Sequence, residues 1–491
     1  MRDPLDLILD VARARPNAYA IWTKQASWSY QDLAIHIRAY AAVFESQNAP
    51  LVALALPQEN HAYAACLGAG LAGGYYSPLN TQAPFEKLSA IISRLKPHFI
   101  VARPPLLEKL ARFAPKAILV DPSSLDLTRQ TNGTQTRHDW AYVNFTSGST
   151  GTPKGVVVPR VALTNYVDWL CSIKITHNDR LSQQPNLAFD ISLTDIYGAL
   201  CNGATLYPVL EEQDKMMPGH FVKKHQITVW NSTPSAISQM MRGRQLNAEE
   251  FGSVRLVNFC GEALFPEQVE GVFAAVPDAV INNTYGPTEA TVAITCASMT
   301  KETYAGKGGT TLPLGELLPD MEIVLMGGPS PDEGEAIIFG PQLAVGYWED
   351  KQATDSAFTD YEGRRGYRTG DWMVRNADGL FFRERVDFQV KVRGFRIELD
   401  EVAAAIRKAG WNVAVVFKNG DTLAAVVEHQ EGLNFAPRAL MKRLENHIEK
   451  HAIPNKIIAV EMMPRNANDK LDRKAAQALF EARKLNRKPV I

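Results

Sequence analysis

The sequence predicts an α/β protein: a large amino-terminal domain of layered α/β subdomains with a β-rich portion, then a small α+β module. Three observations lead there. At 491 residues the chain exceeds what one compact core sustains. Short apolar runs alternate with helix-like stretches over its first three hundred residues, as in parallel α/β layers. After about Gly315 the texture changes to short strand-like segments between Gly, Asp and Asn turns.

The elements follow in order. LVALAL (51–56), HFIVA (98–102), KAILV (116–120), ATLYPV (204–209), ITVWN (227–231) and VRLVNF (254–259) are continuous apolar runs. Such runs suit strands covered on both faces. Tyr30–Ser46, Pro84–Leu95 and Pro266–Ala275 have helical periodicity. The run Ala62–Tyr76 is rich in Ala and Gly, and shorter than the roughly 20 residues of a membrane span. It is expected as a helix packed tightly on a sheet. MEIVLM, GEAIIFG and LFFRERV predict the β-rich portion. The last hundred residues suggest strand, helix, two strands and a helix, with Asp400 and Glu401 at a helix start where the dipole favours acids. The expected domains are 1–386 and 387–491.

Composition excludes several classes of function. A hydrophobic share of 46% and a charged share of 21% rule out a mainly disordered chain. Lys+Arg of 52 against Asp+Glu of 53 gives a net charge of −1, so nothing favours nucleic-acid binding. The five cysteines are scattered and hold no C-x-x-C, which argues against a disulfide framework or zinc site and for a cytoplasmic location. The opening MRDPLDLILDVARARPNA carries acids within its apolar stretch, unlike a signal peptide. No membrane insertion is expected.

The densest chemical signal is YVNFTSGSTGTPKGVVVPR, residues 142–160. An apolar strand leads into a loop of hydroxyls, glycines and one lysine. Glycine lets backbone N–H groups approach a phosphate, and hydroxyls donate to its oxygens. The spacing is not the G-x-x-x-x-G-K-[ST] of a P-loop: Gly148 is followed by Gly151, and Lys154 stands between Pro153 and Gly155.

This loop resembles the phosphate-binding signature of the adenylate-forming enzymes. Further motifs of that family occur in order: Asn283–Thr284–Tyr285–Gly286–Pro287–Thr288–Glu289, Tyr367–Arg368–Thr369–Gly370–Asp371, Arg385–Val386–Asp387, Lys391 to Glu398, and Asn468–Asp469–Lys470–Leu471–Asp472–Arg473. The resemblance implies activation of a carboxylate by ATP to an acyl-adenylate, then transfer to a thiol. It implies that Lys470 is the catalytic cation. Thr146, Ser147, Gly148, Ser149, Thr150, Gly151 and Lys154 would hold the phosphates, and Glu289 would bind Mg²⁺. Tyr285 would stack on adenine, with Asn283 and Gly261–Glu262–Ala263 near its edge and Thr284, Gly286, Pro287 and Thr288 beside it. Asp371 and Arg385 would engage the ribose, with Phe382 alongside. Asp387 would be the hinge about which a mobile carboxy-terminal domain turns.

Substrate choice is expected from Phe189–Asp190–Ile191–Ser192. In amino-acid-activating members an Asp here pairs with the α-ammonium; the alternative role is an N-cap. The same resemblance assigns Ile191, Thr194, Asn231, Asn258, Cys260, Val292 and Ala293 to the pocket. Cys260 is read as wall packing. Within the family the chain most resembles D-alanine–carrier protein ligases, although Asn231 and Asn258 leave a larger or polar amino acid open, since buried amides want partners. The implied acceptor is a phosphopantetheinylated carrier protein in trans. The chain itself is expected to be a monomer. The alternatives are an adenylation enzyme for another amino acid in non-ribosomal peptide synthesis, an acyl- or aryl-CoA ligase, or a non-catalytic binding protein of the same fold.

Overall fold

The computed structural model describes the chain except residues 1, 134–135, 147–152, 305–310, 386–388, 430–434, 466–470 and 486–491, with backbone only at 484–485. Ser147, Gly148, Ser149, Thr150, Gly151, Asp387 and Lys470 therefore lie outside the described residues. The chain divides into two compact units. One comprises Met1–Thr81, Ile91–Phe145 and Gly155–Val386; the other comprises Gln82–Ala90, Thr146–Lys154 and Asp387–Ile491.

The apolar runs form the interior strands of two large sheets. A nine-stranded sheet has at its centre the parallel strands Thr205–Pro208, Arg180–Gln183, Val229–Ser232, Leu256–Phe259 and Val280–Tyr285. A seven-stranded sheet includes the parallel set Ile118–Val120, Phe99–Ala102, Leu51–Ala55 and Tyr75–Pro78. All five residues of Leu51–Ala55 are buried, as expected for a strand with both faces covered. Helices Tyr30–Phe44, Phe85–Leu95 and Pro266–Ala275 stand where the periodicity predicts them, the last with both boundaries as expected. Pro266 at its first position explains the sharp start, because proline there loses no helical hydrogen bond.

The Ala62–Tyr76 run is a helix and part of a strand, not a helix alone. The helix is Asn60–Leu71, and Tyr75–Pro78 is a strand. Gly73, at φ 81°, ends the helix in a conformation that suits glycine. Close packing explains the small residues: a Cβ on Gly68 would stand 2.7 Å from the Cβ of Tyr40.

The β-rich portion is a five-stranded sheet of Glu322–Ser330, Glu333–Phe339, Arg364–Asn376, Phe358–Tyr361 and Gly379–Arg385. The carboxy-terminal residues build their own cores around Trp411 and Phe417. Leu399–Lys408 is a helix with Asp400 and Glu401 in its first turn. Three elements went beyond the expected order: a second strand at the start, a late strand and the helix Arg473–Leu485. Gln389–Val392 and Phe395–Glu398 make a hairpin that turns through Arg393 and Gly394, both at positive φ. Lys456–Val460 adds a parallel strand beside Thr422–Glu428.

Candidate active site

Asp190 sits in the turn between the strand Arg180–Gln183 and the buried helix Ser192–Leu200. Side-chain amides tether that turn. Gln58 donates to the carbonyls of Gln183 and Pro185 at 3.2 and 3.1 Å. The Asn144 amide donates to the Ala188 carbonyl at 2.7 Å and accepts from the Asp190 backbone N–H at 3.2 Å. The N-cap of the helix is Ile191, with no side-chain cap bond, so the cap position falls one residue past Asp190.

Thr194, one turn into that helix, is hydrogen-bonded to the Tyr166 hydroxyl at 2.7 Å. Tyr166 is fully buried; burial raises its phenol far above the ordinary value, and Asp190, Asp195 and Cys260 are close enough to add to that. Cys260 is buried and its thiol points to the Val292 carbonyl at 3.7 Å, which agrees with wall packing. The pocket residues of the expectation thus meet in one region of the larger unit.

Asn231 and Asn258 are satisfied by each other. Asn258 donates to Asn231 Oδ1 at 2.6 Å, and Asn231 donates to Asp195 Oδ1 at 2.5 Å. Asn282 continues the series, donating to Asn258 Oδ1 at 2.8 Å. These amides therefore need no polar substrate group to satisfy them. Burial pushes the Asp195 carboxyl well above the usual carboxylate range, and the bond from Asn231 offsets only part of this.

Val292 and Ala293 close a tight reverse turn. Thr291 and Val292 have φ of 55° and 70°, an uncommon conformation for β-branched residues that needs support from its surroundings. Gln342 supplies it. Its fully buried amide donates to the carbonyls of Ala290, Thr291 and Ala293 at 3.3, 3.4 and 2.7 Å, while Thr291 Oγ1 donates to the Gln342 carbonyl at 2.7 Å.

The nucleotide motifs form a second group. Asp371 and Arg385 face each other across paired strands, and Arg385 donates to Asp371 Oδ1 at 2.5 Å. The Tyr285 hydroxyl donates to the other oxygen of Asp371, also at 2.5 Å. Burial, then Asp371, holds the Tyr285 phenol neutral. Asn283 donates to the Pro313 carbonyl at 2.8 Å, and Thr284 to the Phe259 carbonyl at 2.8 Å. Gly261 has φ 92°, and the Glu262 carboxylate accepts the Ser235 backbone N–H at 2.9 Å. Phe382, on the strand beside Met373, packs half-buried against the main core. Gly286 and Pro287 lead into the single turn Thr288–Ala290, which carries Glu289. The Glu289 carboxylate is buried and accepts from the Tyr347 hydroxyl at 2.8 Å. In the other unit, Thr146 ends one strand and Lys154 begins the next, with Thr146 Oγ1 3.5 Å from the Lys154 carbonyl. Asp195, Asn282 and Gln342 were not expected from sequence. An asparagine near the end of three successive strands was the one available sign.

A parallel sheet with ligand groups at the carboxyl ends of its strands, a hydroxyl-rich loop and an Asp–Arg–Tyr cluster defines the class, and comparison agrees. The AMP-binding enzyme family model matches residues 9–348, so the chain belongs to that family and is an ATP-dependent, adenylate-forming ligase. It is 30% identical to the D-alanine–D-alanyl carrier protein ligase of Staphylococcus haemolyticus (strain JCSC1435), over 96% of this chain and 98% of the relative. The ligase of the same name from Lactococcus lactis subsp. lactis (strain IL1403) is also 30% identical, with the same coverage. Among solved structures, the Vibrio cholerae adenylation domain AlmE, in complex with glycyl-adenosine-5'-phosphate, superposes with a TM-score of 0.85 at 27% identity, covering 98% of both chains. No helix among the described residues is long and apolar enough to cross a membrane.

Proposed function

We propose that the protein activates a small amino acid of the D-alanine type with ATP and passes it to the phosphopantetheine thiol of a separate carrier protein. The observation that carries this reading is Asp190, whose backbone N–H is held by Asn144 just before the buried helix Ser192–Leu200. A partly exposed carboxylate in such a place suits a substrate ammonium by charge complementarity. The names of the relatives support the same substrate and acceptor.

In this reading the substrate carboxylate attacks the α-phosphorus of ATP. A phosphorus–oxygen bond forms, the bond to the β-phosphate breaks, and pyrophosphate leaves. Two anions must meet, so fixed donors and a cation are needed. Asp190 orients the amino acid by its ammonium. Asp371, Arg385 and Tyr285 receive the nucleoside, Thr146 to Lys154 the phosphates, and Lys470 neutralises the reacting oxygens. Among the described residues no group of three or more His, Cys, Asp or Glu could hold a metal. The single buried carboxylate of Glu289 fits Mg²⁺, which usually takes one or two carboxylates and completes its shell with phosphate and water. Bound there, Mg²⁺ would screen phosphate charge. The carrier thiolate then attacks the acyl carbon, a thioester forms and AMP leaves; rotation of 387–491 about Asp387 would exchange the two steps. Free cysteines, five in all, fit a reducing, cytoplasmic location.

ATP–pyrophosphate exchange with both enantiomers of a panel of amino acids tests the reading. Exchange with D-alanine or another small amino acid is expected, and Lys470→Ala abolishes it. Absence of exchange with every amino acid, or thioester formation only with coenzyme A and a non-amino acid, sinks it.

A further inference from the structure

The amide series has a position in the sheet that bears on which side chains the site admits. Asn231, Asn258 and Asn282 lie in register across three neighbouring parallel strands. Alternation along a strand places Cys260 two residues beyond Asn258 on the same face, and Thr284 two beyond Asn282. The series is thus the layer directly beneath the carboxyl ends of the strands, where open α/β sheets receive ligands. Its far end is tied to the helix that begins just after Asp190, because Asn231 donates to Asp195 on that helix. All four side chains are at most 4% exposed.

We propose that Asp195, Asn231, Asn258 and Asn282 form a hydrogen-bonded wall that disfavours substrates with long or branched apolar side chains, with Asp195 as the positioning residue that anchors it. This rests on the reading of the site as an amino-acid pocket and specifies its substrate class. Each amide both donates within the wall and, at Asn231 and Asn258, accepts there, so no link can yield alone. A long apolar side chain would have to displace an amide and leave a buried donor and acceptor unpaired. Each broken link is expected to weaken binding roughly 10–100-fold. An apolar wall of the same shape would give way by rotamer changes and discriminate less. Asp195 can anchor the wall because the buried helix Ser192–Leu200 fixes it, and its Oδ1 accepts from Asn231 at 2.5 Å. Its Oδ2 has no hydrogen-bond partner among the described residues, so one oxygen carries the anchoring.

The test is exchange kinetics of the full-length protein with glycine, alanine and serine against valine and leucine, in both enantiomers, for Asp195→Ala, Asp195→Asn and Asn282→Leu. The wild-type protein is expected to prefer the small set. Asp195→Ala should raise the KM of the small amino acid about 10-fold or more and narrow the small-to-large preference by a similar factor, while the KM for ATP stays within about 2-fold. Asp195→Asn keeps an acceptor oxygen for Asn231 and should restore the wild-type preference. If Asp195→Ala does not fold, Asn282→Leu, which cuts the opposite end, gives the same reading. An unchanged preference in Asp195→Ala or Asn282→Leu overturns the wall, as does Asp195→Asn failing alongside Asp195→Ala. Wild-type exchange with valine or leucine alone refutes the wall and leaves an amino-acid ligase standing. Loss of exchange with all amino acids refutes the underlying function instead.

Discussion

Asp371 and Asp195 are both buried carboxylates, 2% and 0% exposed, and their surroundings could hardly differ more. Asp371 takes a guanidinium on one oxygen and a phenol on the other. Asp195 takes one neutral amide and has a second oxygen with no partner among the described residues. The first cluster is ionic and can exchange partners with an arriving nucleoside, since ribose hydroxyls present donors like those already there. The second holds no cation and is closed on itself. Ionic clusters suit a ligand that must bind and leave; a neutral amide series suits a boundary that must not move.

The strongest attack on this contrast is Asp371→Ala. It removes the carboxylate paired with Arg385, whose side chain is only 12% exposed, and takes one acceptor from Tyr285. A loss of about 3–5 kcal/mol in unfolding free energy is expected by denaturant titration, as for other broken buried pairs. The KM for ATP should rise roughly 10–100-fold with amino-acid preference unchanged. If preference moved as much as nucleotide affinity, the two clusters would not be separate.

Gln342→Ala probes the turn between them. Three buried carbonyls lose a donor, so stability should fall by about 2 kcal/mol, and the KM for the amino acid should rise more than that for ATP because Val292 and Ala293 lose their support. Equal changes in both constants would show that the turn serves the whole site and not one wall.

The smallest effect sharpens the neutral side. The folded-state pKa of Asp195 lies above its unfolded value. The native state therefore binds one more proton between those two values. The resulting stability is complete below the unfolded pKa and declines as pH rises toward the folded one, by about 1.4 kcal/mol per pH unit for one proton. Tyr63 and Tyr166, the nearby titratable groups, are both held neutral by burial in this range. Plotted against pH, the stability of the wild type minus that of Asp195→Asn should slope downward. A flat difference would mean that Asp195 is ionised.

The layers and most strands were legible because each depends on a few adjacent residues. Leu51–Ala55 and Pro266–Ala275 announce themselves by composition and by proline. The short strand Lys456–Val460 did not, since it follows a helix with no turn signal strong enough to separate it. Asp371, Arg385, Tyr285, Glu289 and Asp190 could be named because motifs keep them in fixed local company. The wall could not. Asn231 and Asn258 are 27 residues apart, Asn258 and Asn282 are 24 apart, and only strand register brings them into line. Gln342 reaches a turn 51 residues earlier in the chain. Sequence read the two amides as seeking a substrate; the fold shows them already engaged.

The loop from Tyr285 to Ile294 has one more consequence. Its ends are joined by a 2.7 Å backbone bond, and Gly286 lies so near Ala293 that a Cβ there would come within 2.6 Å of the Ala293 Cα. One short hairpin-like fold of chain thus joins Tyr285, proposed for the nucleoside, to Val292 and Ala293, proposed for the amino acid. Any attempt to breed a new substrate preference at Val292 or Ala293 will be felt by the nucleotide as well, so such libraries are best screened at more than one ATP concentration.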